Sequence, residues 1–351
     1  MILCSVSEKS SPQSSLPECS PVTGLSIMDS VDILIPVFNE ADGLKDFHAA
    51  LKEAVQRINV SRVRFIYVND GSTDGTQGVL TALAGEDPSV CVVELSRNFG
   101  HQAALSAGLD FCDADAVIMM DGDGQHPPEL LPEMVRLHEL GYDVVQSQRC
   151  DRGASLKRLS SRAFYWLISA LGGFSFPEGT ADFRLISRDV LLALRGIREY
   201  HRFYRGILPW LGFRSVLLPF VPGKRLAGVS KYSLRKMVRL ASDGIFSFSL
   251  LPLRLGLVLG AGFLALAAAE IFYVAGFWLS GRRDQLVPGW SSLIVMMTIG
   301  FGAVLVLVGV LGVYVGMIFQ EVKRRPVYVV RSAIGFTSSG PRAGSSETGS
   351  K

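Results

Sequence analysis

Asp121-Gly122-Asp123-Gly124-Gln125 gathers two carboxylates and a carboxamide oxygen into one short turn, whose two glycines let the backbone approach a ligand closely. Hard oxygen donors of this kind suit Mg²⁺ or Mn²⁺, which one or two carboxylates can hold while phosphate oxygens and water complete the shell. A D-x-D pair also arises in ordinary surface turns, so its position must decide. It directly follows the apolar run Ala116 to Met120. His126-Pro127-Pro128 then opens a helix, with prolines where missing N–H groups cost little.

A second acceptor-rich turn runs from Asn69 to Thr76. Ser72 or Asp74 can cap the helix starting near Thr76, so Ser72, Thr73 and Asp74 read as a capped turn as readily as a site. Asp70 is placed differently, at a strand tip beside Phe38, Asn39 and Glu40 of a neighbouring strand. There a carboxylate can accept an N–H from a nucleotide base, and an aromatic ring can cover it. Five cations, Arg149, Lys157, Arg202, Arg205 and Lys231, are available to neutralise phosphate. Arg149 and Lys157 read more readily as solvated charges, whereas Arg205 and Lys231 stand in the glycine-flanked stretches RFYRG and GVSKYS. His101 suits a site loop and a helix start equally.

These residues need a frame. Val31–Val37, Phe65–Val68, Val90–Leu95 and Ala116–Met120 are short apolar runs, each followed by turn chemistry and a helix-like stretch, the first from about Ala41 to Ile58. Strands alternating with helices imply an α/β fold with a mostly parallel sheet, whose ligands gather at the carboxyl ends of the strands. Every polar cluster named above falls just past such a run. Residues 151 to 230 are less regular, with helices expected around Lys157–Leu171 and Arg188–Ile197.

The 351-residue chain is 48% apolar with a positive mean hydropathy, and the apolar excess is local. Leu255–Leu279 and Leu293–Phe319 are each long enough to cross a bilayer, interrupted only by Glu270, which is expected to reach the interface or pair with a second subunit. Glycines 300, 302, 309, 312 and 316 in the second run suit close helix packing. Lys231–Leu250 places apolar residues at helical spacing with basic ones elsewhere, as an interfacial helix would. Arg235, Lys236, Arg239 and Arg254 precede the first run, and Lys323, Arg324, Arg325 and Arg331 follow the second. By the positive-inside bias both flanks, and with them both termini, are cytoplasmic, as at a bacterial inner membrane. The five cysteines show no metal-ligand spacing and fit a reduced compartment.

The expected organisation is therefore a disordered segment over 1–28, an α/β domain over 29–230, an interfacial helix over 231–252, two spans within 253–320, and a tail over 321–351. Within the tail, Val327–Val330 is a strand candidate that could pair with a second copy in a homo-oligomer, and disorder is expected beyond it.

IPVFNE, VNDGSTDGT, SRNFGHQAALSAGLD and DGDGQHPPE, in this order, resemble the donor-binding half of family 2 glycosyltransferases of the GT-A fold. TADFRL, RFYRG and GVSKYS, followed by two apolar runs, extend the resemblance to polyprenyl-phosphate glycosyltransferases of the dolichol-phosphate mannose synthase and bactoprenol glucosyltransferase types. A processive polysaccharide synthase carries a Q-x-x-R-W motif and more spans, and this sequence has neither. The resemblance implies an inverting, membrane-anchored hexosyltransferase that uses a nucleotide sugar, UDP-glucose before GDP-mannose, and a polyprenyl phosphate such as undecaprenyl phosphate. Nucleic acid is not among the implied partners.

Carried over by motif, Pro36, Phe38, Glu40, Asp70, Asp121 and Gly122 line the donor pocket. Asp121, Asp123 and Gln125 hold the metal. Asp182 lies beside the transferred sugar or the acceptor, and with Asp123 and Arg205 it makes the catalytic set. Arg149, Lys157, Arg202, Arg205 and Lys231 meet the acceptor phosphate. Relatives often have bulkier residues where this chain has Gly122 and Gly124, which implies a looser metal loop here.

Overall fold

The computed structural model describes residues 28–149, 180–200, 202–221, 251–281 and 289–336. Strand β1 (Ser30–Val37) lies at the centre, buried along its whole length, as expected for a continuous aliphatic run with helices on both faces. Beside it run β2 (Arg62–Asn69) and β4 (Ala116–Met119), and β3 (Val90–Leu95) follows β2, all parallel. Pro36 lacks an N–H for a ladder. It stands beyond the last β1–β4 pair, Leu34 with Met119, where β4 has ended.

Helices α1 (Leu44–Val55), α2 (Thr76–Glu86) and α3 (His101–Phe111) connect these strands. A 3₁₀ turn (Pro128–Leu130) and α4 (Leu131–Glu139) follow β4. Ile33, Ile35, Phe65, Tyr67 and Ile118 face α1 and α4, while Leu34, Ile66, Val68 and Val117 face α3. Alternate residues thus fill two cores, one on each face of the sheet. Helix α3 lies especially close to β1: a Cβ added at Gly108 would come within 2.0 Å of Leu34 Cδ1.

The described residues beyond α4 are more regular than their sequence suggests, and the helix expected around Lys157–Leu171 lies outside them. Strands β5 (Val144–Arg149) and β6 (Thr180–Ser187), helices α5 (Arg188–Gly196) and α6 (Tyr204–Leu211), and β7 (Ser215–Phe220) complete one side. Among the described residues the sheet order is β7-β5-β6-β4-β1-β2-β3-β8, with β6 antiparallel to both its neighbours. Because β6 runs backwards, its first residues lie level with the carboxyl end of β4. Thr180–Asp182 is thereby delivered to the end of the sheet where Asp121 emerges.

Two long helices follow, α7 (Leu251–Leu279) and α8 (Trp290–Val322), over the two apolar runs. They touch at Gly256, where an added Cβ would come within 2.0 Å of Leu307 Cδ2. The glycines of α8 expected to make such a contact, Gly300, Gly302, Gly309, Gly312 and Gly316, face no described atom within 4 Å. Glu270 falls on α7, with its side chain outside the described residues. The expected interfacial helix over 231–250, together with Lys157 and Lys231, also lies outside them.

The tail forms β8 (Val330–Ile334), three residues further on than expected, and it pairs antiparallel with β3 of its own chain. Arg331 and Ser332 bond Glu94, Tyr328 donates to Asp110 at 2.6 Å, and Phe336 packs on Phe111. One edge of this strand is thus used within the chain, and β8 ends the sheet among the described residues.

Candidate active site

Two loops at the carboxyl ends of β1 and β2 are laced together. The Asn39 N–H donates to Ser72 Oγ at 3.0 Å, Glu40 N–H to Thr76 Oγ1 at 3.0 Å, and Thr73 N–H to Asn39 Oδ1 at 2.9 Å. Asp74 accepts from Thr76 N–H at 3.0 Å, in the first turn of α2, and from Ala41 N–H at 3.3 Å. Ser72, Thr73 and Asp74 therefore serve the frame. Phe38 and Glu40 stand half-buried at its rim.

Asp70 is buried, and its carboxylate accepts the N–H groups of Phe99 at 2.8 Å and Gly100 at 3.0 Å. Burial pushes its pKa up against those bonds. The loop it holds crosses directly over Gly71, where φ is +64° and a Cβ would lie 2.3 Å from the carbonyl carbon of Arg97. Only glycine fits there.

Asp121 stands where β4 ends, between two histidines. His101 opens α3, with Nε2 2.7 Å from Asp121 Oδ1. His126 is buried against Phe183 and Phe220, and accepts the Asp121 N–H on Nδ1 at 3.0 Å. That bond leaves the His126 proton on Nε2, 3.9 Å from Asp121 Oδ2 and without a hydrogen-bond partner among the described residues. Burial pulls the His126 pKa down, which keeps the ring neutral. Burial works against charge at His101 as well, but there the Asp121 carboxylate prevails and raises the pKa.

Gly122 is buried, and a Cβ there would meet Val37 Cγ1 at 2.8 Å. Close approach is what this glycine provides: it seats the loop on β1. Asp123 Oδ1 accepts the Gln125 N–H at 3.0 Å, and Arg149 reaches Gln125 Oε1 at 3.4 Å. Among the described residues no three His, Cys, Asp or Glu side chains converge as a complete metal cage. The turn does carry two carboxylates and an amide oxygen, a partial set of hard oxygen donors. This fits a hard divalent cation that is also bound by a diphosphate.

Across from this turn lies an ion cluster built on β6. Arg205 grips Asp182 with two prongs, Nε to Oδ1 at 3.0 Å and Nη2 to Oδ2 at 2.7 Å. Arg184 adds Nη2 to Oδ1 at 2.5 Å from inside the protein. Burial opposes the charge on Asp182, but the guanidinium groups of Arg205 and Arg184 overcome it and hold the carboxyl well below the usual range. Asp182 is thus an acceptor-only anion. Arg184 is 1% exposed, and its Nε and Nη1 have no partner among the described residues. Each such orphan costs about 1–3 kcal/mol.

The depressed pKa of Asp182 stabilises the fold above the ordinary carboxylate pKa, and that contribution is lost only as pH falls toward the much lower folded value. Arg205→Ala removes a main cause of the depression and brings the loss toward the ordinary range. The variant is expected to begin acid unfolding at higher pH than the parent, followed by circular dichroism. Coincident curves would show that Arg205 does not hold this charge.

Helix α3 joins the two halves of the site. His101 binds Asp121, the Tyr204 N–H reaches Gln102 Oε1 at 3.5 Å, and Ser106 bonds the Tyr204 hydroxyl at 2.7 Å, which fixes α6 and Arg205. The structure therefore brings together Asp121, Asp123, Gln125 and Arg149, and separately Asp182 and Arg205. Arg202 does not join them. It donates to the Glu199 carbonyl, beside Tyr200, whose N–H bonds Glu321 of α8 at 2.9 Å. Arg184 and His126 are the side chains that the sequence reading missed. Arg184 stands two residues from Asp182 on one strand, a spacing that places both on the same sheet face.

A model of glycosyl transferase family 2 matches residues 32–194. The uncharacterized glycosyltransferase YkcC of Bacillus subtilis (strain 168) is 37% identical over 305 residues, covering 86% of this chain and 94% of the relative. The prophage-derived bactoprenol glucosyl transferase of Shigella flexneri is 36% identical over 310 residues, covering 86% and 98%. Among solved structures, the Pyrobaculum calidifontis mannosyltransferase is a distant likeness, with 17% identity, 81% and 88% of the two chains covered, and a TM-score of 0.42. The family match takes in both the Asp121–Asp123 turn and the Asp182–Arg184 strand, and the relatives match along nearly their whole length. The chain belongs to glycosyl transferase family 2 and is a glycosyltransferase.

Proposed function

We propose that the chain transfers a hexose, glucose from UDP-glucose, to polyprenyl phosphate at the membrane surface, with inversion. The observation that carries this is the facing pair of charge clusters. An acidic turn suited to a metal-bound diphosphate stands opposite a guanidinium-rich cluster suited to an anionic acceptor. The name of the Shigella relative, at 36% identity, supports glucose and bactoprenol, with GDP-mannose the second donor to test.

In this reading Asp121, Asp123 and Gln125 hold Mg²⁺ or Mn²⁺, which neutralises the diphosphate when bound. Pro36, Phe38, Glu40, Asp70 and Gly122 shape the nucleotide pocket, Asp70 by holding its wall. An acceptor phosphate oxygen bonds to the anomeric carbon as the bond to the nucleoside diphosphate breaks. That phosphate is already anionic near neutral pH and needs no general base, whereas a sugar hydroxyl would. Asp182, paired with two arginines, suits this: it is poorly placed to take a proton and well placed to orient cations. Arg205, with Arg149, Lys157 and Lys231, supplies positive charge to the acceptor.

Membrane anchoring is supported by Ile299–Val322, which is long and apolar enough to cross a bilayer and has none of its apolar window buried. β7 and β8 belong to one sheet, so the chain between them must cross the membrane an even number of times. If α8 crosses, α7, at 29 residues, is the element available to cross back. Lys323, Arg324 and Arg325 at the end of α8 favour a cytoplasmic catalytic domain.

Incubating the purified chain with a panel of nucleotide sugars and undecaprenyl phosphate tests the reading. Sugar should appear on the lipid phosphate, fastest from UDP-glucose. Transfer only to other acceptors would overturn it. A related expectation concerns truncation: a chain cut after Leu250 lacks β8 and bares the edge of β3. It should melt well below a version in which residues 327–336 are rejoined by a flexible linker. Equal melting temperatures would show that β8 adds nothing to the domain.

A further inference from the structure

We propose that Arg184 is a positioning residue of the transfer step: from beneath the site it fixes the Asp182 carboxylate, and through it the guanidinium of Arg205 that meets the acceptor. This rests on the assignment of Arg205 to the acceptor phosphate made above.

Arg184 cannot touch a ligand itself. It is 1% exposed, set in β6 between Met119 of β4 and Gln146 of β5, on the face that buries Leu34 and Ile186. A cation in that setting with two unpartnered nitrogens is a poor choice for stability, since an apolar side chain of similar volume commonly serves a core as well or better. Local violations of this kind gather at functional sites. The bonds Arg184 does make are confined to the start of β6: Nη2 reaches Asp182 Oδ1 at 2.5 Å and the Ala181 carbonyl at 3.3 Å.

Asp182 Oδ1 accepts from both Arg184 and Arg205, and among the described residues Oδ2 accepts from Arg205 alone. Turning the carboxylate would break the inner bond, so Arg184 sets the plane in which Arg205 is gripped. The Arg205 side chain is 27% exposed, whereas Arg184 is 1% exposed, so of the two it is Arg205 that solvent reaches.

The test uses the full chain in lipid discs, with UDP-glucose and undecaprenyl phosphate as probes. Arg184→Met and Arg184→Lys are each made alone and on an Arg205→Ala background. Arg184→Met should lower kcat/KM for the lipid roughly 10-fold, with the UDP dissociation constant unchanged, and Arg184→Lys should recover part of the loss. On the Arg205→Ala background, Arg184→Met should have little further effect, because both residues act through one link. Losses that multiply, or a parallel fall in UDP affinity, would overturn the proposal and leave Arg184 a structural residue. If Arg184→Met does not fold, Arg184→Lys carries the test: its loss should vanish on the Arg205→Ala background, and persistence overturns the proposal. Transfer to lipid phosphate by the parent protein is measured first, so failure of the acceptor assignment is seen separately from failure of the Arg184 link.

Discussion

Asp123→Ala is expected to reduce sugar transfer by roughly 10³-fold or more while the melting temperature changes little. The two magnitudes have different origins. For folding, Asp123 Oδ1 accepts the Gln125 N–H within a half-buried turn, a bond whose loss costs about 1 kcal/mol. For catalysis, in the proposed reading, removing one of the two carboxylates weakens the hold on the divalent cation that would neutralise a departing diphosphate. Asp121→Ala should be worse for the fold, because Asp121 also receives His101 and lies against the buried His126. Isothermal titration with Mn²⁺ and UDP, beside steady-state rates and thermal melts, separates these contributions. Full activity of Asp123→Ala in excess chelator would sink the metal assignment.

Arg205→Ala should lower kcat/KM for polyprenyl phosphate by roughly 10 to 100-fold, while nucleotide affinity stays within about a factor of two. Sequence reasoning expects the planar fork of Arg205 to grip the phosphate directly. In the structure the Nε and Nη2 prongs grip Asp182 instead. In the proposed reading the phosphate would meet a guanidinium already held in place, with less side-chain freedom left to lose on binding. Arg205→Lys should rescue poorly for the same reason, since an ammonium cannot span both oxygens of Asp182. Lys231→Ala is expected to act in the same direction. Steady-state kinetics with varied lipid phosphate, alongside calorimetry of the nucleotide, checks this. Loss of nucleotide affinity with an unchanged lipid dependence would place Arg205 at the donor.

The first half of the domain was legible because local and global signals agree. Val31–Val37, Val90–Leu95 and Ala116–Met119 are aliphatic runs buried on both faces, and each ends in turn residues. The Asp121–Gln125 turn could be located from that frame alone. Strand β6 was not legible: Asp182 and Arg184 are buried and charged, so TADFRLIS does not read as a core strand. Their mutual pairing is what permits the burial, and sequence spacing does not reveal it. The edge strand β7 was hidden for another reason: SVLLPF is apolar without alternating, and Pro219 argues against a strand except at a sheet edge, where β7 in fact lies.

By itself the sequence determined the α/β class, the acidic turn at a strand end, the two long apolar helices and the family, because each depends on residues close together in the chain. Tertiary structure decided which cation meets which anion. Antiparallel pairing of β6 with β4 brings Asp182 to the end of the sheet where Asp121 stands, and α3 carries His101 to one and supports Arg205 at the other. It also decided that β8, reached only after both long helices, closes the catalytic sheet at β3, more than two hundred residues away in the chain. Contacts over such separations depend on strand order and helix packing, which local composition does not encode.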